Sequence, residues 1–341
     1  MSEILDLIVV GAGPTGIAIG AEARRQGLSV LVVDKGPLTA AIQGYPTFME
    51  FFTTRDRLEI ANVPFSIPDV KPTRRQALAY YRMVVELYDI PLALYEEVTE
   101  VRREGDDFTV HHFTVHTRRM QGMQGSRTLR ARSVALATGY FFNPRRLGVP
   151  GEDLPWVSHR YKEPYPHFGQ EVVIVGAGNT AAEAALDLWR NSVRVTLIHR
   201  GGAVKAGVKY WVKPDMENRI EEGSIPALFN TQVRAFLPEG GVELLTPEGP
   251  RVLPAQAAYV LIGYQPDADF ERRCGIEVDP ETLIPAHDPE TCESNVPGLY
   301  VAGTLQAGRW TDRIFIENSR DHGPKIVAHL KSRLAAVPAM R

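Results

Sequence analysis

The sequence predicts an α/β chain made of two Rossmann-like dinucleotide-binding domains, the first of them split by insertion of the second. Two glycine-rich loops carry that prediction, each set between a strand-like apolar run and a helix-compatible stretch. A third observation closes it: a C-terminal strand and turn that return the chain to the first domain. The expected division is residues 1–150 and 291–341 for the split domain and 151–290 for the inserted one.

Length and composition fit this plan. At 341 residues the chain can bury two cores, and 44% apolar with 23% charged residues argues against disorder or a coiled coil. A net charge of -3 without a long basic run excludes a nucleic-acid footprint. No apolar segment approaches the roughly 20 residues that cross a bilayer. The opening Ile4 to Val10 reads as a strand rather than a leader, so a cytoplasmic protein is expected. Cys274 and Cys292, with 17 residues between them, form neither a disulfide framework nor a Cys-x-x-Cys pair.

After the first strand comes Gly11-Ala12-Gly13-Pro14-Thr15-Gly16, then a helix-compatible stretch through Arg25 and a short strand from Leu28 to Val33 that ends in Asp34. Glycines let backbone approach a pyrophosphate, and a helix start offers free N–H groups to its charge. Asp34, 23 positions after Gly11, suits a ribose diol. A lone glycine motif is weak evidence, and here its context supports it.

The layout recurs from Val172 to Val175 with Gly176-Ala177-Gly178-Asn179-Thr180-Ala181, and small Ala181 stands where the third glycine was. The next strand, Val193 to Ile198, ends in His199-Arg200, and His199 follows Gly176 by the same 23 positions. A carboxylate there would repel the extra phosphate of NADP, whereas Arg200 can pair with it through its planar fork. Lys205 and Lys209 lie nearby and add positive potential, unless all three are a solvated face. An acidic-ended first site and a basic-ended second one suggest a tightly held FAD and an exchangeable NADPH, with hydride passing from the second to the first.

Between the loops, residues 94–116, including Phe108 to Phe113, predict an antiparallel excursion. Gly122 and Gly125 fall in its turn, and Thr128 to Ala137 returns as one or two strands. Thr138-Gly139 then fits packing near a dinucleotide. Prolines at 144, 150, 155, 164 and 166 make 144–169 an interdomain crossing. Ala258 to Gly263 reads as sheet, and Asp267 to Phe270 as its exit rather than a metal site. Gly298 to Gly303 is a final strand and turn, and a terminal helix beginning at Phe315-Ile316 runs toward Leu330.

These residues resemble the flavoproteins related to low-molecular-weight thioredoxin reductase and, more narrowly, the bacillithiol disulfide reductase family. The resemblance covers nearly the whole chain. It rests on Gly11 to Gly16, Tyr45-Pro46-Thr47 with Glu59 to Phe65, Pro150 to Pro155, Lys209 to Asp215, and Gly298 to Gly303 followed by Ile314 to Asn318. It implies FAD and NADPH as cofactors, reduction of a small disulfide such as bacillithiol disulfide, and a homo-oligomer. Thioredoxin reductases use a Cys-x-x-Cys pair in the NADPH domain, which this sequence lacks. Some members of the narrower family carry a cysteine in the first loop, where Thr15 stands here, and a hydroxyl cannot replace a redox sulfur. Direct reduction at the flavin, exchange by the substrate's own thiols, and use of Cys274 or Cys292 remain open.

The cofactor candidates are therefore Gly11, Gly13, Pro14, Thr15, Gly16, Asp34, Lys35, Gln43, Tyr45, Thr138, Gly139, Gly303, Ile314 and Phe315 for FAD. Those for NADPH are Gly176, Gly178, Asn179, Thr180, His199, Arg200 and Lys209. Thr15, Pro46 and His322 are the candidates at the chemistry. Pro46-Thr47-Phe48 and Phe51-Phe52 line a wall or fill the core, and Arg55 or Arg57 faces an anionic substrate or solvent. His159, His167 and His322 are candidate proton donors, with packing the competing role. No metal-ligand spacing stands out. Electron transfer to ferredoxin or flavodoxin, and a slow redox-sensing flavoprotein, are the alternatives.

Overall fold

The computed structural model describes residues 4–104, 112–119 and 125–336. Contacts divide the chain into two compact units, one of residues 1–43, 49–143 and 265–341 and the other of residues 44–48 and 144–264.

The first unit opens with β1 (Leu5–Val10), α1 (Pro14–Arg25) and β2 (Val30–Asp34). β1 is apolar because it is central: β2 and a later strand flank it, both parallel. Pro14 starts α1, its ring already set for a first helical turn. Small residues along α1 admit close neighbours, and a Cβ at Gly20 would lie 3.0 Å from the side chains of both Ile90 and Val32. α2 (Arg74–Leu87) begins at a capping box, in which Gln76 N–H donates to Thr73 Oγ1 at 3.3 Å and Thr73 N–H to Gln76 Oε1 at 2.8 Å. Its Tyr80 and Tyr81 hydroxyls donate to Val63 O at 2.7 Å and Leu58 O at 3.1 Å, fixing the irregular segment between them.

β3 (Leu92–Leu94) pairs with β2, and β4 (Glu96–Glu104), β5 (His112–Arg119) and β6 (Ser126–Leu136) form the expected antiparallel excursion. Residues 108–111 of the run expected as a strand, and Gly122 of its turn, lie outside the described residues. The stretch expected as one or two strands is the single β6, which runs parallel to β1.

The proline-rich crossing yields only β7 (Val157–Ser158) and a short 3-10 turn at Tyr165–His167. The second unit then repeats the opening of the first: β8 (Glu171–Val175), α3 (Asn179–Arg190) and β9 (Arg194–Ile198). After α4 (Lys213–Glu221) come β10 (Ala227–Leu228), β11 (Gln232–Phe236), β12 (Val242–Thr246), β13 (Gly249–Leu253) and β14 (Ala257–Val260). A parallel sheet of order β10-β9-β8-β14-β7 carries the glycine loop, and β11-β12-β13 form a separate antiparallel sheet.

The chain rejoins the first unit at Gln265, well before the expected boundary near 291. The reason is apolar burial. Phe270, Cys274 and Ile276, on and just after α5 (Ala268–Arg273), pack into the core formed by Ile8, Val134 and Leu136. Asp267 caps that helix, its Oδ1 accepting Phe270 N–H at 3.0 Å. β15 (Leu299–Val301) pairs with β6 in parallel. The single terminal helix expected from Phe315 is instead two, α6 (Ile316–Ser319) and α7 (His322–Ala336), and the break turns His322 toward Gly303. Among the described residues no helix is long and apolar enough to cross a membrane, and no cluster of His, Cys, Asp or Glu suits a metal.

One buried acid has a measurable consequence. Glu271 is 1% exposed and neither carboxyl oxygen has a hydrogen-bond partner. Burial, with Asp267 adding to it and Arg272 opposing, pushes its pKa from 4.5 up to about 8. The folded state therefore holds a proton that the unfolded chain releases above pH 4.5. Stability from this group is full below that value, falls as pH rises toward about 8, and is level beyond. Glu271→Leu is expected to widen its melting-temperature advantage over the wild type between pH 5 and 8 in paired thermal melts. A pH-independent gap would show that Glu271 is ionised in the fold.

Candidate functional site

In the first unit the glycine loop is a cradle from which side chains are excluded on one side and absent on the other. Gly11 has φ +114°, and a Cβ there would stand 2.3 Å from Ala137 O, so the residue just after β6 presses directly on the loop. A Cβ at Gly16 would sit 1.8 Å from Gly11 O, whereas one at Gly13 would meet nothing within 4 Å. The loop is therefore closed toward the sheet and open at Gly13, where α1 begins with no side chain capping it. Free N–H groups at such an end favour a bound anion.

Asp34 closes the same loop from β2. Its Oδ2 accepts Ala12 N–H at 2.6 Å and its Oδ1 accepts Gly36 N–H at 2.7 Å. Burial raises its pKa, and these two N–H groups oppose the rise. A carboxylate so held keeps lone pairs for a ribose diol. The cradle and this acceptor fit an adenine dinucleotide at the first loop.

The C-terminal turn meets this loop. Gly303, at φ +70°, is so close that a Cβ on it would lie 2.9 Å from Thr15 Oγ1, and the Thr15 and Ser319 hydroxyls are 3.1 Å apart. Gly139 faces Thr304. Thr15, Gly139, Gly303 and His322 are thus gathered at one place, and Ser319 and Thr304 join them without any motif to announce them.

Other candidates have partners of their own. Lys35 is exposed, with its ammonium 5.7 Å from the Phe142 ring centre. Gln43 Nε2 donates to Leu38 O, and the Phe315 ring meets Phe52 edge-on at 5.5 Å. Tyr45 and Pro46 belong to the second unit, where neighbouring Thr47 N–H donates to Lys162 O. Phe51 is buried core and Phe52 is exposed. Arg55 lines a cavity of about 540 Å³ with Asp56 and Glu59, whose carboxylates work against an anionic ligand.

The second loop reproduces the geometry of the first. Gly176 has φ +131°, and a Cβ there would stand 2.4 Å from Leu261 O, while one at Gly178 would meet nothing within 4 Å. Ala181, standing where the first loop has Gly16, is fully buried at the start of α3. Lys205 N–H donates to Ala177 O at 3.1 Å, and Lys209 N–H to Asn179 Oδ1 at 2.8 Å, so the 205–209 segment is tied to the loop. Thr180 is exposed on the first turn of α3. Lys209 Nζ is paired with Glu183 at 2.6 Å, which leaves it less charge to offer a ligand.

At the end of β9 the acid of the first site is replaced by bases. Burial, then the charges of Lys205 and Arg200, hold the His199 imidazole below its ordinary range, so it is neutral near pH 7. The positive charge beside it comes from exposed Arg200 and Lys205. This surface fits a dinucleotide with one phosphate more than the first loop would take.

The three histidines have packing partners or are held neutral. His167 Nε2 meets Tyr259 Oη at 2.6 Å, and burial lowers the His159 pKa. His322 is 8% exposed, its Nδ1 accepts Gly303 N–H at 3.0 Å, and burial lowers its pKa to about 4. The imidazole is therefore neutral at neutral pH, with its proton on Nε2, and its visible work is to hold the Gly303 turn. His322→Ala is expected to cost about 1–3 kcal/mol by orphaning that N–H. Chemical denaturation would read it, and an unchanged midpoint would remove the anchoring role.

Comparison with known proteins agrees with this geometry. A family profile described as pyridine nucleotide-disulphide oxidoreductase matches residues 8–303. The chain is 35% identical over 332 residues to the bacilliredoxin reductase Bdr of Bacillus subtilis, covering 96% of this chain and 97% of that one. Among solved structures it is similar to the bacillithiol disulfide reductase Bdr of Bacillus cereus, with a TM-score of 0.91 and 33% identity over 97% of this chain and all of the other. The Staphylococcus aureus protein of the same name gives a TM-score of 0.88 and 33% identity over 97% of this chain and 99% of the other.

Proposed function

The chain belongs to the pyridine nucleotide-disulphide oxidoreductase family, within it to the bacillithiol disulfide reductases, and from that premise we propose that it reduces bacillithiol disulfide with electrons from NADPH. It is an FAD-dependent, NADPH-consuming reductase. The observation that carries the assignment of sites is the pair of matching cradles with opposite charge, Asp34 beside one and Arg200 with Lys205 beside the other.

On this reading the first cradle holds FAD. Gly11 and Gly16 bring backbone close to the pyrophosphate, the start of α1 at Gly13 and Pro14 supplies N–H donors, and Asp34 accepts from the ribose. Gly303, fixed by His322, and Gly139 flank the same loop. The second cradle holds NADPH, with Gly176, Gly178 and the start of α3 on the pyrophosphate and Arg200 and Lys205 on the ribose phosphate. FAD held there would supply the two-electron chemistry, with NADPH at the second cradle as the hydride donor. The residues of the chain bind, orient and discriminate. The family likeness further supports a cytoplasmic homo-oligomer.

The test is steady-state NADPH oxidation by the holoprotein with three acceptors: bacillithiol disulfide, oxidised thioredoxin and ferredoxin. Turnover with the small disulfide at least tenfold above the other two is the expected result. Preference for ferredoxin would replace this reading with electron transfer to a protein partner.

A further inference from the structure

The disulfide reading requires a path for two electrons to reach sulfur, and the thiols of this chain are placed where they cannot supply one. The sequence has two cysteines, Cys274 and Cys292, and both are free thiols. Cys274 ends α5 and is 6% exposed within an apolar cluster that includes Val101, Phe270 and Ile276. Cys292 is completely buried, its N–H donating to Asp288 O at 2.7 Å and its carbonyl accepting Val301 N–H at 2.9 Å. Burial pushes the Cys274 thiol up to about 12 and raises that of Cys292, so neither offers a thiolate near pH 7. At the first loop the side chain facing the C-terminal turn is Thr15, whose hydroxyl is engaged with Ser319 at 3.1 Å.

We propose, resting on the disulfide reductase reading, that reduction proceeds without any sulfur of the protein. No mixed disulfide forms between enzyme and substrate, Cys274 and Cys292 are core residues, and Thr15 is a clasp between the loop and Ser319. The reaction balances with the substrate alone: its S–S bond breaks, NADPH is oxidised to NADP+ through the bound flavin, one proton comes from solvent, and two thiols leave. The substrate class follows. It is a disulfide that takes both electrons in one encounter, and a substrate that must first exchange with an enzyme thiol is excluded. The enzyme also keeps its activity in thiol alkylators.

Three readouts on the holoprotein test this. Iodoacetamide on the native protein is expected to add no mass, and both cysteines label after denaturation. Acid quenching during turnover with bacillithiol disulfide is expected to leave the intact mass unchanged. Cys274→Ala/Cys292→Ala is expected to hold kcat/KM for the disulfide within about threefold of wild type, and the Ser/Ser variant stands in if the Ala/Ala protein does not fold. A bacillithiol adduct on either cysteine would overturn the proposal. So would a tenfold loss of disulfide reduction in the variant with NADPH–ferricyanide turnover intact. Wild-type protein that reduces ferricyanide but no disulfide would instead refute the parent reading, and this inference with it.

Discussion

Gly176→Val is expected to lower NADPH-driven flavin reduction by at least about 10³-fold while the purified protein stays yellow. A Cβ at Gly176 would collide with Leu261 O at 2.4 Å, and φ +131° is closed to a β-branched residue. The loop must move away from Leu261, just after β14, taking the start of α3 with it, and a displacement that loses ~4 kcal/mol of binding and alignment is about a thousandfold in rate. The first cradle is a separate piece of chain, so the variant keeps its FAD. Gly11→Val is the mirror image, because a Cβ there meets Ala137 O at 2.3 Å. It is expected to purify without flavin. Absorbance at 450 nm reads FAD content, and stopped-flow bleaching reads reduction. Loss of flavin from Gly176→Val with retention in Gly11→Val would reverse the assignment of the two loops.

Arg200→Ala carries the second large effect. An Arg–phosphate contact is a charge-assisted pair worth about 1.5–3 kcal/mol, or roughly 10- to 150-fold in kcat/KM. The loss is expected with NADPH and not with NADH, whose ribose lacks that phosphate. Lys205, whose charge also reaches His199, keeps some preference, so Arg200→Ala/Lys205→Ala is expected to bring the two cofactors to near parity. Arg200→Lys recovers part of the loss, as a point charge without the bidentate fork. Steady-state kinetics with both nicotinamides measures all of this. Equal losses with NADPH and NADH would mean that Arg200 shapes the loop and does not read the phosphate.

Much of the architecture was legible because it is written twice. Each copy has an apolar strand, a glycine loop, a helix and a second strand, with Asp34 and His199 at equal distance from the first glycine of each. Local rules suffice there, since close backbone approach demands glycine and central parallel strands demand apolar runs. The return of the chain at Gln265 was less legible. What decides it is the burial of Phe270, Cys274 and Ile276 against a sheet far away in sequence, and no local signal carries that. The same holds for β11, β12 and β13, which follow no motif, and for the break between α6 and α7.

At the site, the glycines and the charged strand ends were readable and the side chains between them were not. Thr15 meets Ser319 across 304 positions, a contact only the fold creates. His322 reads in sequence as a proton donor because imidazole titrates near neutrality, but burial and the Gly303 N–H make it a fixed acceptor. Tyr45 and Pro46 lie within a family-like motif, yet they pack with the second unit. For α2 the capping box at Thr73 and Gln76 was present in the sequence and is the signal that would have found it.

On the proposed route NADPH electrons enter at the basic-ended loop, reach FAD, and leave to a small disulfide. Anaerobic stopped-flow of the FAD-loaded protein tests it in one run, with NADPH mixed first and bacillithiol disulfide second. Rapid bleaching of the 450 nm band by NADPH, bleaching at least tenfold slower by NADH at equal concentration, and full return of the band when the disulfide arrives are the expected results. A flavin that NADPH does not bleach, or a bleached flavin that the disulfide leaves reduced, would contradict that route.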